Sequence, residues 1–182
     1  TIASLPAVDP ALPMKLRDLL RLSPRTMPSA REIIGGLLLE TAPGVKAAAR
    51  LEGSGERAII SVSDSPYAPT VPLPIPDRSL VLAIQPRSIS LPADRGLANQ
   101  AAILLHKPLP GIWAEDILAA FDYLRNERKV RSISIVASGR YAGLAALFAT
   151  VLEPSIEHTR IEGLFPSFLD VLGRDPVIEI PG

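Results

Sequence analysis

Apolar residues recur along this chain in two rhythms. Short runs rich in Val and Ile at 57–63 (RAIISVS), 80–85 (LVLAIQ) and 133–137 (ISIVA) are bounded by turn-formers. They read as strands buried on both faces, the pattern of a sheet covered by helices. Residues 112–128 follow the other rhythm. Trp113, Ile117, Ala120, Phe121 and Leu124 recur at helical spacing, and Glu115, Asp116, Asp122, Arg125 and Asn126 fall on the other side, which predicts an amphipathic helix facing solvent with its charges. Residues 97–106 also suit a helix, and 14–22 a short one stopped by Pro24. Residues 33–41 and 45–51 flank Ala42, Pro43 and Gly44 as a hairpin would, although Leu37 to Leu39 and Ala47 to Ala49 fit a helix too. Toward the end, 157–163 reads as a strand with a charged beginning, 165–172 as a helical turn or two, and 177–180 as a last extended piece. The alternation of strand and helix predicts right-handed βαβ units in a largely parallel sheet, a three-layer αβα sandwich.

The most organised stretch is 130–153, VRSISIVASGRYAGLAALFATVLE. A buried strand leads into a turn carrying Gly139, then a helix whose packed face is Ala142, Gly143, Ala145, Ala146 and Ala149. Strand, tight turn and closely packed helix is the unit from which α/β proteins build catalytic elbows and phosphate-cradling loops.

Composition narrows the classes. A chain of 182 residues, 47% hydrophobic and 21% charged, suits one globular domain. Lys plus Arg and Asp plus Glu balance at 19 each, so no net field favours nucleic acid or acidic lipid. Without cysteine there are no disulfides, thiol chemistry or Cys-ligated zinc, and either redox compartment is compatible. No apolar run approaches the roughly 20 residues of a membrane span, and Thr1 opens no signal peptide; a secreted or periplasmic location follows only if a signal was removed. Proline is abundant at 19 residues, clustered at Pro6 to Pro28 and at Pro66 to Pro76, and both stretches read as extended connectors.

Residues 80–164 carry a resemblance. SLVLAIQPRSIS, then GLANQAAILLHKPLPGIWAEDILAAFDYLRNERKVRSISIVASGRYAGLAALFATVLEPSIEHTRIEG, resembles the middle of α/β-hydrolase-fold proteins of the acetyl xylan esterase and dienelactone hydrolase type. In that family a strand ending in an Asp-Pro-Arg-Gly-like turn precedes a long helix ending in Asp-Tyr-Leu, the elbow strand, and a strand ending near Glu-Gly. The early prolines and the apolar spacing of 14–22 mark 1–30 as a proline-rich leader with a short helix, and the resemblance makes 31–182 a partial α/β-hydrolase-like domain. It also implies a nucleophile elbow at Ser138, Gly139, Arg140 and Tyr141.

The departures are chemical. With Gly143-Leu144 taken as the helix start, the five positions of the G-x-S-x-G pattern just before it are Ser138 to Ala142, which puts Arg140 in the nucleophile's place, where a guanidinium cannot attack a carbonyl. A slip of two residues brings Ser138 there but places Arg140 where a small residue belongs. The oxyanion loop becomes Ser61, Val62, Ser63, Asp64, Ser65 and Pro66, and the Asp-Pro-Arg-Gly-like turn becomes Gln85, Pro86, Arg87 and Ser88. The strands beyond the elbow that would carry the acid and histidine do not appear before Gly182, as for a fragment or a fold without its last third. His106 reads as a helix-end residue and His158 as a strand start, too far apart for a metal pattern. Glu115 and Asp116 suit solvation near a helix start, Asp170 and Asp175 flank a glycine turn, and Thr1 lacks the setting of an N-terminal nucleophile. The loop from Ala137 to Gly143 superficially resembles a dinucleotide loop but lies late in the chain. No cofactor and no metal are expected.

Two functional readings follow. The favoured one is a catalytically degenerate α/β-hydrolase-like domain, a pseudoenzyme serving as a structural or interaction module. The other is a carboxylic, carbohydrate-acetyl ester hydrolase using Ser138 or residues beyond the C-terminus. A sheet that stops near 163 leaves an edge strand to be covered, which calls for a homodimer or a sister hydrolase domain.

Overall fold

The computed structural model describes residues 9–65, 78–89 and 92–165. The second proline cluster, the pieces expected at 177–180 and at 165–172 beyond Phe165, and Thr1, Asp170 and Asp175 lie outside these residues. Four helices and seven strands follow in chain order: α1 (Leu12–Leu19), β1 (Ser29–Ile33), β2 (Gly36–Ala42), β3 (Val45–Gly53), β4 (Arg57–Ser63), β5 (Ser79–Gln85), α2 (Pro92–Leu104), α3 (Leu109–Asn126), β6 (Ser132–Ser138), α4 (Arg140–Leu152) and β7 (Thr159–Glu162).

The strands form one mixed sheet in the order β1-β2-β3-β5-β4-β6-β7. Parallel pairing is confined to β5, β4, β6 and β7, while β1, β2, β3 and β5 pair antiparallel. The largely parallel sheet expected from the alternation therefore covers only half of the pairings. The cause is local: β2 and β3 are joined by Pro43 and Gly44, too short a connection for anything but a hairpin. Gly35, at φ +78°, folds the chain back once more, so Ile33 ends β1, a strand the hydrophobic pattern did not separate from β2.

Strand parity sets the core. Leu37 and Leu39, Ala47 and Ala49, Ile60 and Val62, Leu82 and Ile84, and Ile133 and Ile135 all belong to one buried cluster, to which all four helices contribute. Trp113, fully buried on α3, donates its indole N–H to the Arg87 carbonyl at 2.8 Å. Asp116 overturns the expectation of a solvated carboxylate, being 0% exposed. Arg87, just beyond β5, reaches it through its backbone N–H at 2.9 Å and through its guanidinium at 2.8 to 3.0 Å. A charge can be buried at this cost only when its lone pairs are filled, and Arg87 fills them.

The segment between α1 and β1 is fastened across the helices by Arg25. Its Nε donates to Asp122 of α3 at 2.9 Å, and it forms a second ion pair with Glu153 just past α4. Burial pushes the Arg25 guanidinium down, but the hydrogen bonds to Asp122 and Glu153 outweigh it and the net shift is upward. For Glu153, burial favours the neutral acid, and hydrogen bonds from Ser155 and Arg25 overcome it, leaving the carboxyl below its ordinary value of 4.5. A carboxylate depressed on folding contributes stability that is complete above its unfolded value and is lost as pH falls through the lower folded value. Arg25→Ala should accordingly cost about 2 kcal/mol at pH 7. In urea unfolding at decreasing pH, the gap between wild type and variant should narrow once Glu153 protonates; a gap unchanged down to pH 2 would show that the ion pair contributes nothing.

Candidate functional site

The carboxyl ends of β4, β6 and β7 meet at the strand-to-helix turn. Ser138 pairs in register with Ser63 on one side and with Glu162 on the other. The backbone zips both seams: Asp64 N donates to the Ser138 carbonyl at 3.1 Å, and Gly139 N to the Glu162 carbonyl at 2.9 Å. The chain then turns at Gly139, with φ +117° and ψ 173°, and α4 begins at once with Arg140. The strained position of the turn thus falls on a residue with no side chain, one place before Arg140 and one after Ser138.

The head of α4 is filled from within the chain. Asp64, on the parity of Ile60 and Val62, points toward the helix layer, where its carboxylate accepts from Ala142 N at 2.7 Å and from Tyr141 N at 3.1 Å. These are the free donors of the first turn, where the helix dipole also favours a negative charge. Gly139 makes room for this cap, because a Cβ there would stand 2.4 Å from the Asp64 carboxyl. Gly143, one turn on, lets α4 approach β7, where a Cβ would meet Ile161 Cγ2 at 2.7 Å. Tyr141 lies edge-on to Trp113 at 5.6 Å and to Phe165 at 6.0 Å, and the Arg140 guanidinium stands 5.5 Å over the Phe165 ring.

Ser138 lies on the other parity of β6, with Ser134 and Val136, facing away from the helix layer. Its hydroxyl is exposed and makes no hydrogen bond among the described residues. The donors at the head of α4 and this hydroxyl are therefore on opposite sides of the sheet. On the face of Ser138 lie Ser63 and Glu162, its register neighbours, and Glu162 pairs with Arg160 at 2.6 Å.

Neither histidine joins them. The His158 carbonyl accepts from Ile135 N, which places it about 10 Å down the strand from Ser138. His106 follows α2, exposed and with φ +50°. Among the described residues no group of three His, Asp or Glu comes together as a metal site would. Sequence reasoning placed Asp64 in the loop after β4 but gave it no role, and it passed over Glu162. Asp64 reaches a helix 78 positions away, so no local spacing could announce it.

The sequence matches no family model and no curated protein. Among solved structures it has a weak likeness to the acetyl esterase MekB, with a TM-score of 0.45 and 11% identity over 75% of this chain and 42% of the esterase. The chain spans less than half the length of that structure. No helix among the described residues is long and apolar enough to cross a membrane.

The turn makes a direct prediction. Gly139→Ala should cost about 3 kcal/mol, from a strained φ and a clash with Asp64, and Asp64→Ala about 1 kcal/mol through the lost cap. Because the second change removes what the first collides with, the double variant should lose less than the sum in denaturant unfolding. Strict additivity would mean that the carboxylate does not crowd the turn.

Proposed function

We propose that this chain is a catalytically degenerate α/β-hydrolase-like domain, a three-layer αβα unit that serves as a structural or interaction module. The observation that carries the reading is the Asp64 carboxylate on the backbone N–H groups of Tyr141 and Ala142. An acyl-transfer site needs free donors aimed at the developing oxyanion, and here two donors at the elbow already hold a negative charge. Ser138 faces away from them, Gly139 takes the strained position, and neither histidine lies nearby. A third layer is supported by Val81 and Ala83, both 0% exposed although they lie on the sheet face opposite the helix-packed core. Among the described residues the sheet ends at β1 and β7. These edges are the natural place for a second copy or a sister hydrolase domain to pair.

A second reading keeps an ester hydrolase working through Ser138. It is favoured by one observation: the exposed hydroxyl has the Glu162 carboxylate beside it, in register and on the same face. Hydrolysis of a short-chain chromogenic ester by the purified chain separates the two. The degenerate reading expects turnover no higher than buffer from a cooperatively folded chain, and the same from Ser138→Ala, Glu162→Gln and Arg140→Ala. Turnover that falls by a hundredfold or more in Ser138→Ala, of the order expected for loss of a nucleophile, would replace it with the esterase reading.

A further inference from the structure

One face of α2 is left uncovered by the rest of the chain. Asn99 and Ala102 turn into the protein, while Leu97, Ala101, Leu104 and Leu105 fall on the opposite side, at the spacing of a helical stripe. The three leucines are 69%, 80% and 72% exposed in that order. Leu105 belongs to the stripe because its N–H still donates to the Ala101 carbonyl at 2.9 Å. The helix closes only after it, where His106 takes φ +50° and Lys107 N donates to the Ala102 carbonyl at 2.8 Å. This end is held in place by Lys107 Nζ, which reaches Glu115 of α3 and Ser23 Oγ, both at 2.7 Å. A surface fixed before it binds loses little freedom in doing so.

Three features say what covers it. The stripe is symmetric about Ala101, with Leu97 four residues before it and Leu105 four after. Two such helices packed antiparallel about a two-fold axis at Ala101 set Leu97 of each copy against Leu105 of the other, and the small residue on the axis lets the backbones approach. From Gly96 to Leu105 there is no charged residue, so the pair buries no ion. A lipid surface is a poorer match, since helices that lie on it carry Lys and Arg beside the apolar stripe. Area sets the strength. At these exposures each copy offers roughly 450 Å², about 900 Å² for the pair, which is the low end of specific interfaces and belongs to a weak, reversible association.

We propose that a second copy of this chain docks on α2, the two helices antiparallel with Ala101 at the two-fold axis. The surface uses neither the elbow nor the sheet edges. Sedimentation equilibrium of the full chain should show a reversible passage from monomer to dimer at micromolar concentrations. Leu104→Glu should raise the dissociation constant by about a hundredfold or more, because its carboxylate would be buried unpaired. Ile34→Glu, the same change at an exposed position between β1 and β2, should alter nothing. Leu97→Glu should also separate the copies, and Leu97→Glu with Leu105→Lys should bring them together again, the new carboxylate of one lying opposite the new ammonium of the other. The chain has no cysteine, so Ala101→Cys oxidised with copper phenanthroline should give a disulfide-linked dimer through that thiol alone. All these positions are on the surface, so the variants keep the monomer's fold, which their urea unfolding checks. A chain that stays monomeric up to millimolar concentration, a dimer left intact by Leu104→Glu, or a dimer that Ala101→Cys does not link would each overturn the proposal, the last two in favour of pairing at a sheet edge.

Discussion

The carboxylate of Asp64 is the contact on which the carboxyl end of this sheet depends. It ties the end of β4 to the first turn of α4 across two backbone donors. The helix is thereby capped by a residue from another strand and not by one of its own neighbours, for Gly139 offers no side chain. Gly139 and Gly143 are accommodations to the same arrangement: one clears the carboxylate, the other lets α4 settle on β7. The strand-to-helix turn is thus built around a carboxylate from the end of β4.

A second carboxylate, this one fully buried, does the equivalent work on the β5 side of β4. Asp116, at no exposure, accepts both the backbone N–H and the guanidinium of Arg87 and so fixes the chain leaving β5 against α3. Trp113 adds its indole bond to the same Arg87 and its ring to Tyr141. The turns that follow β5 and β6 are therefore positioned by one helix, α3. Both oxygens of the Asp116 carboxylate are engaged by Arg87, which is the condition for its being tolerated at all.

What the sequence revealed divides by the range of the cause. The strands β4, β5 and β6 and the helices α3 and α4 were legible because burial imprints a period on consecutive residues. The 33–41 run was read as one strand because its break rests on a single backbone angle at Gly35. Asp116 looked solvated because its neighbours on α3 are charged, and its burial is decided by Arg87, 29 positions earlier. At the candidate site, Ser138, Gly139, Arg140 and Tyr141 were visible as a turn between strand and helix. The occupant of that turn, Asp64, was not, since a contact made through folded space leaves no periodic trace.

The mixed sheet also sets an order in which its parts can assemble. The β2–β3 hairpin closes through two residues and forms from local contacts at small entropic cost. The seam between β4 and β6, and the Asp64 cap beside it, must bring together segments 75 and 78 positions apart before any pairing is gained. Contacts of such separation slow folding and leave strand edges exposed while they are awaited. The antiparallel half is therefore suited to act as an early template, and the parallel half closes onto it late.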